Sequence, residues 1–360
     1  MSRVAFYAPM KPPDHPTPSG DRRIAEDFMA LLRRCGHRPF IASRLRLRDG
    51  RGCQQTQARL TEAAQAEAQR LRVAFADDPP ALWFTYHCYW KAPDLLGPAV
   101  AQALGIPYVI AEPSYAASRL TGPWAGFAAA ARAALERADR LIVTKPRDRA
   151  GVASLARAEA LVELPPFLDP GPRPGPRAPG QAVPAGHLQL LTVAMMRPGD
   201  KRASYDALAD ALRFLSQPWR LTVVGDGPER PAIEALFAAF SSVSFLGMVS
   251  PTALRALYES HDVMLWPGVG EGIGMVYLEA QAAGCPALAA AHPGPAAVLR
   301  MPNLPAPGDA VGFALAAQAL AADPTAREAA RGHVTTHHGL DRAAQRLRAI
   351  LSPLTACATP

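Results

Sequence analysis

Two acidic residues lie within one glycine-rich stretch of the sequence, and their spacing points to a site for a phosphorylated ligand. The stretch 266–286 reads WPGVGEGIGMVYLEAQAAGCP and contains Glu271 and, eight residues later, Glu279. Apolar residues recur at helical spacing from Met275, so the pattern predicts a helix preceded by a loop with four alternating glycines. The free N–H groups and the positive dipole end of such a helix favour an anion such as phosphate.

We expect the carboxylates of Glu271 and Glu279 to contact hydroxyl groups of a ligand. Glu271 stands just before the helix, where the positive dipole end stabilises its charge, and it can accept hydrogen bonds from hydroxyls. Glu279 lies in an apolar segment, where a buried charge needs a partner that a bound ligand could supply. For either residue alone, a helix cap or a solvated helix face is the simpler interpretation. The pair favours a ligand site, to which we expect four backbone amides to contribute: those of Gly272, Ile273, Gly274 and Met275.

Three further loops of the second half of the chain are predicted to meet the glycine loop. Each follows a predicted strand, and their candidate residues are Arg197 and Lys201, Gly225 and Gly227, and Met248 and Val249. Because the carboxyl ends of parallel strands meet at one edge of a sheet, we expect these residues to share one cleft. Arginine and lysine there would offset the charge of a diphosphate. The alternative is that Arg197 and Lys201 have no specific role and simply belong to a basic loop in a basic protein. This alternative explains Lys201 less well, because the chain contains only four lysines.

The elements that must position these residues alternate between strand and helix in both halves of the chain. Strands are predicted at 4–8, 39–42, 81–86, 107–111, 141–144, 188–194, 220–224, 243–246, 263–266 and 287–289. Helices are predicted at 21–34, 56–72, 94–104, in an alanine-rich stretch ending at 138, and at 205–215, 231–240, 251–260, 275–283, 311–321 and 340–351. The alternation predicts an α/β fold with parallel sheets covered by helices on both faces.

A proline- and glycine-rich stretch separates the two halves. The density of proline and glycine in residues 166–186 is incompatible with a regular helix or strand. This composition predicts an interdomain linker. We therefore expect two Rossmann-like, doubly wound domains, at 1–165 and 187–335. A final helix within 336–360 is expected to pack back on the first domain.

Composition and charge narrow the class of protein. At 360 residues, with 49% hydrophobic and 19% charged residues, the chain is typical of a soluble two-domain protein. No apolar run approaches a membrane-spanning length, and the N-terminus lacks the apolar core of a signal peptide. The net charge of +7 has two possible origins: the amino-acid bias of a GC-rich genome, or a function that requires attraction to anionic partners. Such partners include nucleotide sugars, lipid phosphates and a membrane surface. Nucleic acid is not predicted, since aromatic residues are not interleaved with the basic ones.

Cysteine and aspartate patterns bear on cofactors and location. The five cysteines are scattered and lack C-x-x-C spacing, which predicts neither a disulfide framework nor a zinc site. A reducing cytoplasm fits this pattern, with peripheral contact at the inner face of the membrane left open. The sequence contains no D-x-D pair, so neither a divalent metal nor another cofactor is expected.

The pattern E-G-I-G-M-V-Y-L-E-A-Q-A-A-G-C-P at 271–286 resembles the signature of GT-B-fold glycosyltransferases of family 4, the group 1 transferases. The resemblance is strong over residues 190–300 and only architectural over 1–165. It implies two domains that face across a cleft, the first binding the acceptor and the second the donor. The implied reaction is metal-independent, retaining transfer of a hexose-like sugar from a nucleotide-diphosphate sugar, the co-substrate, to a hydroxyl of a glycan, a lipid-linked sugar or a small molecule.

The resemblance also implies roles for individual residues. Arg197 and Lys201 match the cations that bind the donor diphosphate, although their spacing differs by one residue from the usual R-x-x-x-x-K. Glu271 matches the glutamate that contacts the donor sugar, and Glu279 matches the one that holds the ribose. Gly225 and Gly227 match the family's G-x-G-x loop. Met248 and Val249 match the family's segment near the nucleotide base.

The first half departs from the family at one position. Many members carry a histidine after the strand that follows G-I-P, and here Pro113 occupies that place. His87, at the carboxyl end of a predicted strand, and Glu112 are then the candidates for contacting sugar or acceptor. A histidine hydrogen-bonded to the backbone is the simpler interpretation of His87. Gly20, just before the first predicted helix, is the remaining candidate.

Three other functions compete with this interpretation. A dinucleotide oxidoreductase would need G-x-G-x-x-G, but Arg230 stands where the third glycine belongs. A glycoside hydrolase needs two carboxylates flanking a bond, and a phosphate pocket would have no purpose there. A non-catalytic nucleotide-sugar-binding or scaffold subunit of GT-B fold is the serious alternative, because the usual histidine is missing.

Overall fold

The computed structural model describes residues 2–17, 19–174, 186–300 and 303–355. The chain divides into two compact units, which we call unit 1 (residues 1–165 and 340–360) and unit 2 (residues 166–339). Of the predicted linker at 166–186, residues 175–185 lie outside the described residues, and the described remainder is grouped with unit 2. The last helix of the chain is grouped with unit 1.

Unit 1 is built on a six-stranded parallel sheet in the order β2-β1-β3-β4-β5-β6. Its strands are Arg3–Tyr7 (β1), Arg38–Ser43 (β2), Leu82–Tyr86 (β3), Tyr108–Ala111 (β4), Arg140–Val143 (β5) and Leu161–Glu163 (β6). Strand β3 reads LWFTY and is buried along its whole length, as expected for a parallel strand covered on both faces. The direction of winding reverses between β1 and β3, and ligand sites of doubly wound sheets lie at such switch points.

Unit 2 is built on a five-stranded parallel sheet in the order β11-β10-β7-β8-β9. Its strands are Leu188–Val193 (β7), Trp219–Val224 (β8), Val243–Gly247 (β9), Val263–Leu265 (β10) and Ala287–Leu288 (β11). The switch point of this sheet lies between β7 and β10. Lys201 lies in the first turn of the helix that follows β7, and Glu271 lies in the loop that follows β10. The topology therefore brings both candidates to one point of the sheet edge.

Helices cover the faces of both sheets. They are Gly20–Arg34 (α1), Gln54–Ala74 (α2), Gly97–Leu104 (α3), Ala125–Arg137 (α4), Pro146–Ala153 (α5), Asp200–Leu212 (α6), Arg230–Phe237 (α7), Pro251–Ser260 (α8), Met275–Ala282 (α9), Pro293–Ala296 (α10), Ala310–Ala322 (α11), Ala326–His333 (α12) and Leu340–Thr355 (α13). A 3₁₀ helix spans Ala117–Leu120 and a π-helical turn spans Val334–His338. Helix α13 packs on α1, where Arg34 bonds Asp341 at 2.6 Å. No helix in the described part of the chain is both long and apolar enough to cross a membrane.

The predicted α/β class with two doubly wound domains is confirmed. The sequence patterns missed one strand and three α-helices: β6, α5, α10 and α12. All are short, and β6 has only three residues, none of them buried. Helix α5 lacks an apolar stripe, with only Val152 buried, so periodicity gave no signal for it.

Candidate functional site

The glycine loop at 268–274 is held in one conformation by close contacts with α6. Gly268, Gly270 and Gly274 have φ values of 77°, 65° and 75°, in the left-handed region that favours glycine. A Cβ atom on Gly270 would lie 2.1 Å from Oδ2 of Asp200, the first residue of α6. The N–H of Val269 donates to Ser204 Oγ at 3.0 Å. Gly270 therefore permits the loop to pack directly on the start of the neighbouring helix, whereas Gly268 and Gly274 make room for the ring of Tyr277.

Lys201, Glu271 and Trp266 form one side-chain cluster at the switch point of unit 2. The Lys201 ammonium forms an ion pair with Glu271 Oε1, which also accepts a hydrogen bond from Trp266 Nε1 at 3.0 Å. The same ammonium lies 5.3 Å from the centre of the buried Trp266 ring. Because 31% of the Lys201 side chain and 15% of the Glu271 side chain stay exposed, both can exchange their mutual contact for a ligand.

The backbone amides at the start of α9 form the second part of the site. Gly274 is the residue before the helix and adopts a left-handed conformation, and the N–H of Tyr277 donates to its carbonyl at 3.0 Å. Within the described residues, the N–H groups of Gly272, Ile273, Gly274 and Met275 have no hydrogen-bond acceptor. These amides and the helix dipole suit an anionic group. The side chain of Ile273 is buried in the core, so only its backbone is available to a ligand.

Gly225 and Gly227 allow the loops after β7 and β8 to pack against each other. Their φ values are 135° and 156°, and an added Cβ would lie 1.9 Å from Ala194 O and 2.1 Å from Met196 O, respectively. The N–H of Met196 donates to Asp226 O at 2.9 Å across the same contact. The close approach of the two loops therefore explains why both positions are glycine.

The remaining donor candidates vary in their surroundings. Arg197 is exposed and has neither a hydrogen-bond nor an ion-pair partner within the described ranges, so no contact joins it to the Lys201 cluster. Met248 is 73% exposed at the end of the edge strand β9, whereas Val249 packs partly against the core. The roles assigned to these three residues stay predictions.

Glu279 lies in the second turn of α9, beside the buried Tyr258 of α8. Burial raises the pKa of Tyr258 well above its ordinary value, and the charge of the neighbouring Glu279 adds to that effect. The hydroxyl of Tyr258 therefore stays protonated, and the half-buried Glu279 side chain lies beside it.

In unit 1 the candidates His87 and Glu112 directly follow the adjacent strands β3 and β4, and both have an unusual backbone conformation. Their φ values of 62° and 52° are the only positive ones among the described non-glycine residues. Such strain persists only where the surroundings enforce it, and it is concentrated at functional sites. His87 Nδ1 lies 3.1 Å from Asp21 Oδ1 in the first turn of α1. Gly20, the first residue of α1, is exposed, and no atom lies within 4 Å of the Cβ position that it lacks.

The side chain of Glu112, the other candidate for contacting sugar or acceptor, is buried in an ion pair. Lys145 Nζ lies 2.5 Å from Oε2, and Thr144 Oγ1 donates to Oε1 at 2.8 Å. Burial alone would raise the pKa of Glu112, but Lys145, His87 and Thr144 outweigh it and hold that pKa below its usual value. Only 3% of the Glu112 side chain is exposed, so its carboxylate is a structural anchor for the end of β4.

Several residues of these clusters were absent from the sequence prediction: Trp266, Tyr258, Asp21 and Lys145. Scarcity could have indicated Lys145, since the argument that favours Lys201 applies to all four lysines. The others have ordinary residue types in ordinary elements, and no spacing marks them. Within the described part of the chain, no three His, Cys, Asp or Glu side chains are grouped so as to hold a metal ion.

A surface cavity of about 430 Å³ lies at the opposite edge of the unit 2 sheet. Its lining residues precede the strands, among them His187, Pro218 and Ser242 before β7, β8 and β9. Since ligands of open α/β sheets bind beyond the carboxyl ends of the strands, we do not assign this cavity to the site.

Two doubly wound units of this kind define the GT-B class. The fold is similar to that of sucrose-phosphate synthase from Thermosynechococcus elongatus, with a TM-score of 0.73 at 22% identity, over 99% of this chain and 100% of that one. It is also similar to Anabaena HepE in complex with UDP and glucose, with a TM-score of 0.69 at 14% identity, over 98% of this chain and 100% of that one.

Residues 187–323 match the family described as glycosyl transferases group 1, and this part of the chain is a domain of that family. The D-inositol 3-phosphate glycosyltransferase of Kineococcus radiotolerans is 33% identical over 178 residues, which are 44% of this chain and 40% of that protein. The sulfoquinovosyl transferase SQD2 of Arabidopsis thaliana is 38% identical over 71 residues, which are 20% of this chain and 14% of that protein. These matches therefore span less than half of either relative.

Proposed function

We propose that the protein is a glycosyltransferase of family 4 that transfers a sugar from a nucleotide-diphosphate sugar to an acceptor hydroxyl. The observation that carries this proposal is the cluster of Lys201, Glu271 and free amides at the switch point of unit 2. A cation, a carboxylate and several N–H groups at one sheet edge suit a ligand that combines phosphates with hydroxyls. The relatives named above are transferases of sugars, and HepE was solved with UDP, which supports the same class of donor.

In the proposed complex, Lys201 and the amides of Gly272–Met275 hold the diphosphate. Negative charge grows on this group as the bond to the sugar breaks, so contacts made there stabilise the transition state more than the ground state. Arg197, which is exposed, contributes a second cation by turning toward the phosphates. These three groups form the proposed catalytic machinery together with Glu271.

The two glutamates bind hydroxyls on either side of the diphosphate. Glu271 exchanges its contact with Lys201 for hydroxyls of the donor sugar, while Trp266 Nε1 keeps the carboxylate in place. Glu279 accepts from the ribose hydroxyls, and Met248 and Val249 contact the nucleotide base. Transfer occurs with retention of configuration, the departing phosphate accepting the proton of the acceptor hydroxyl on the same face. No metal ion takes part in the proposed mechanism.

His87 is the proposed polar contact for sugar or acceptor in unit 1. It ends a buried strand at the switch point of its sheet, and Asp21 orients its ring through the contact at Nδ1. Burial alone would raise the pKa of Asp21, but the hydrogen bond with His87 and the charge of the imidazole hold that pKa below its usual value. A charged Asp21 therefore favours a proton on Nδ1 and leaves Nε2 for a ligand.

The four cysteines of the described chain are free thiols, which supports the proposal of a reducing cytoplasm. A saccharide or a lipid-linked saccharide is the proposed acceptor, and a lipid-linked one would require peripheral contact with the inner face of the membrane.

A thermal-shift screen against UDP-, GDP- and ADP-sugars tests the donor proposal. A ligand that binds only the folded state at 100 times its Kd adds about 2.7 kcal/mol of stability, so one nucleotide series should raise Tm by several degrees. Hydrolysis of that donor by the purified chain should follow, and it should fall in Lys201→Ala and Glu271→Ala variants. No shift with any donor would overturn the proposal; binding without hydrolysis or transfer would identify a scaffold subunit instead.

A further inference from the structure

A tight hairpin follows β3 at the switch point of unit 1 and presents an aromatic residue and a lysine. Tyr89 and Ala92 exchange both backbone hydrogen bonds, at 3.3 and 2.9 Å, which leaves Trp90 and Lys91 at the tip. The ring of Tyr89 stacks on His87 with centroids 4.7 Å apart. The hairpin therefore continues the edge of the sheet outward from the proposed polar contact.

The tip is fixed by contacts from two other segments of unit 1. The Trp124 ring meets Trp90 edge-on with centroids 4.9 Å apart, and its Nε1 donates to the carbonyl of Asp49 at 3.1 Å. The N–H of Asp49 in turn donates to the carbonyl of Lys91 at 2.9 Å. Both indoles are half-buried, so the two rings form a preorganised apolar surface.

Two cations lie against this surface without a carboxylate to neutralise them. Lys91 Nζ is 4.7 Å and Arg119 Cζ is 4.3 Å from the centre of the Trp90 ring. Neither forms an ion pair within the described part of the chain. The carboxylate of Asp49 accepts four hydrogen bonds, and none comes from Lys91 or Arg119: the donors are the N–H groups of Arg51, Gly52 and Cys53, and Gln57 Nε2. The cluster therefore carries two positive charges that an incoming anion can neutralise.

We propose that Trp90, Trp124, Lys91 and Arg119 form a subsite for an anionic saccharide, one that bears a phosphate or a carboxylate. The apolar face of the sugar ring packs on the indoles, and the two cations bind the anionic group. This inference rests on the proposed function, since the saccharide is the acceptor or part of it. A membrane surface is disfavoured because both indoles and Lys91 are half-buried beside a switch point, where small ligands bind.

Calorimetric titration with glucose 6-phosphate, glucuronate, glucose and inorganic phosphate tests this subsite in the full chain. Glucose 6-phosphate and glucuronate should bind at least about tenfold more tightly than glucose, since a single charge-assisted hydrogen bond contributes that much to affinity. They should also bind more tightly than inorganic phosphate, which lacks a sugar ring to pack on the indoles. The double variant Lys91→Met with Arg119→Met should lose this preference, and Trp90→Phe should weaken binding less than Trp90→Ala. The matched control is Arg213→Gln, whose guanidinium lies 5.7 Å over Phe240 in unit 2, and it should bind like wild type.

The outcomes separate this inference from the proposed function. Unchanged binding of glucose 6-phosphate in the Lys91 and Arg119 double variant overturns the subsite, as does equal affinity for glucose. UDP binding, measured in the same samples, reports on unit 2; its absence in wild type would refute the donor proposal and leave the subsite result intact. Vesicles of phosphatidylglycerol serve as a further probe. If the vesicles bind and Trp90→Ala abolishes that binding, while none of the saccharides binds, the surface contacts a membrane and the saccharide subsite is refuted.

Discussion

Replacing Lys201 with methionine removes one positive charge from the proposed donor site and keeps most of the side-chain volume. In the structure the Lys201 ammonium bonds Glu271 and lies over the Trp266 ring. The variant keeps the hydrogen bond from Trp266 Nε1 to Glu271 Oε1, so the carboxylate retains one of its two partners. We therefore expect a folded protein whose free energy of unfolding falls by about 1 kcal/mol, the scale of a partly exposed ion pair.

The affinity for a nucleotide diphosphate should change more than the stability. A charge-assisted hydrogen bond contributes about 1.5–3 kcal/mol, which corresponds to a roughly 10-fold to 150-fold rise in Kd. The Glu271 carboxylate adds to this loss, because without Lys201 it repels the phosphates. The free amides at the start of α9 remain, so binding should be weakened and not abolished.

Calorimetric titration with the nucleotide diphosphate selected by the thermal-shift screen measures this change. The matched control is Arg202→Met, which removes the same charge one residue along α6. Arg202 bonds Asp206 at 3.0 Å and lies 3.6 Å from Glu229, so its charge is already neutralised. We expect its Kd to stay within about twofold of wild type, since surface substitutions of this kind rarely exceed about 0.5 kcal/mol. Equal losses in both variants would indicate a general effect of charge, and no loss in Lys201→Met would refute the assignment.

Three further predictions concern stability. Gly225→Ala should lower the free energy of unfolding by about 2–4 kcal/mol in urea titrations, because its Cβ would collide with the carbonyl of Ala194 at a φ of 135°. Lys145→Met should cost about 3–5 kcal/mol, since it leaves the buried Glu112 carboxylate unpaired, and adding Glu112→Gln should restore much of this in the same assay. Burial and neighbouring histidines lower the pKa of His333 to about 4, so the native state binds fewer protons than the unfolded chain below pH 6.5. The free energy of unfolding should therefore fall by about 1 kcal/mol between pH 7 and pH 5. The His333→Asn variant should lack this decrease when both proteins are titrated with urea at the two pH values.

The loops of the proposed donor site could be predicted from the sequence because their requirements are conformational. Gly270 and Gly225 are glycines since neighbouring atoms occupy the place of a Cβ, and such demands leave a fixed spacing in the chain. The same pattern predicts Glu271 in the loop just ahead of a helix, and in the structure that helix begins at Met275. Trp266, which completes the cluster, and Asp200, which packs on Gly270, could not be predicted. The contacts of Trp266 with Lys201 and of Asp200 with Gly270 join segments far apart in the chain and leave no local pattern.

The unit 1 candidates were harder to predict because the direction of a side chain at a strand end is not encoded by periodicity. His87 and Glu112 both follow buried strands, and the sequence treats them alike. In the structure His87 remains partly exposed, whereas Glu112 turns inward to meet Lys145. The difference depends on a lysine at the end of the next strand, and only the order of strands in the sheet brings the two together.

This contrast bears on how the two halves can vary. The proposed donor loop depends on backbone N–H groups for its diphosphate and on glycines for close packing, so most substitutions in it distort the loop. The proposed acceptor surface consists of side chains on a hairpin tip, a 3₁₀ helix and the residue preceding α4, and each of these can change without moving the sheet. Exchanging Trp90 or Lys91 should therefore change which saccharide is bound while donor affinity stays the same. A loss of donor affinity in those variants, measured by the same calorimetric titration, would contradict this separation.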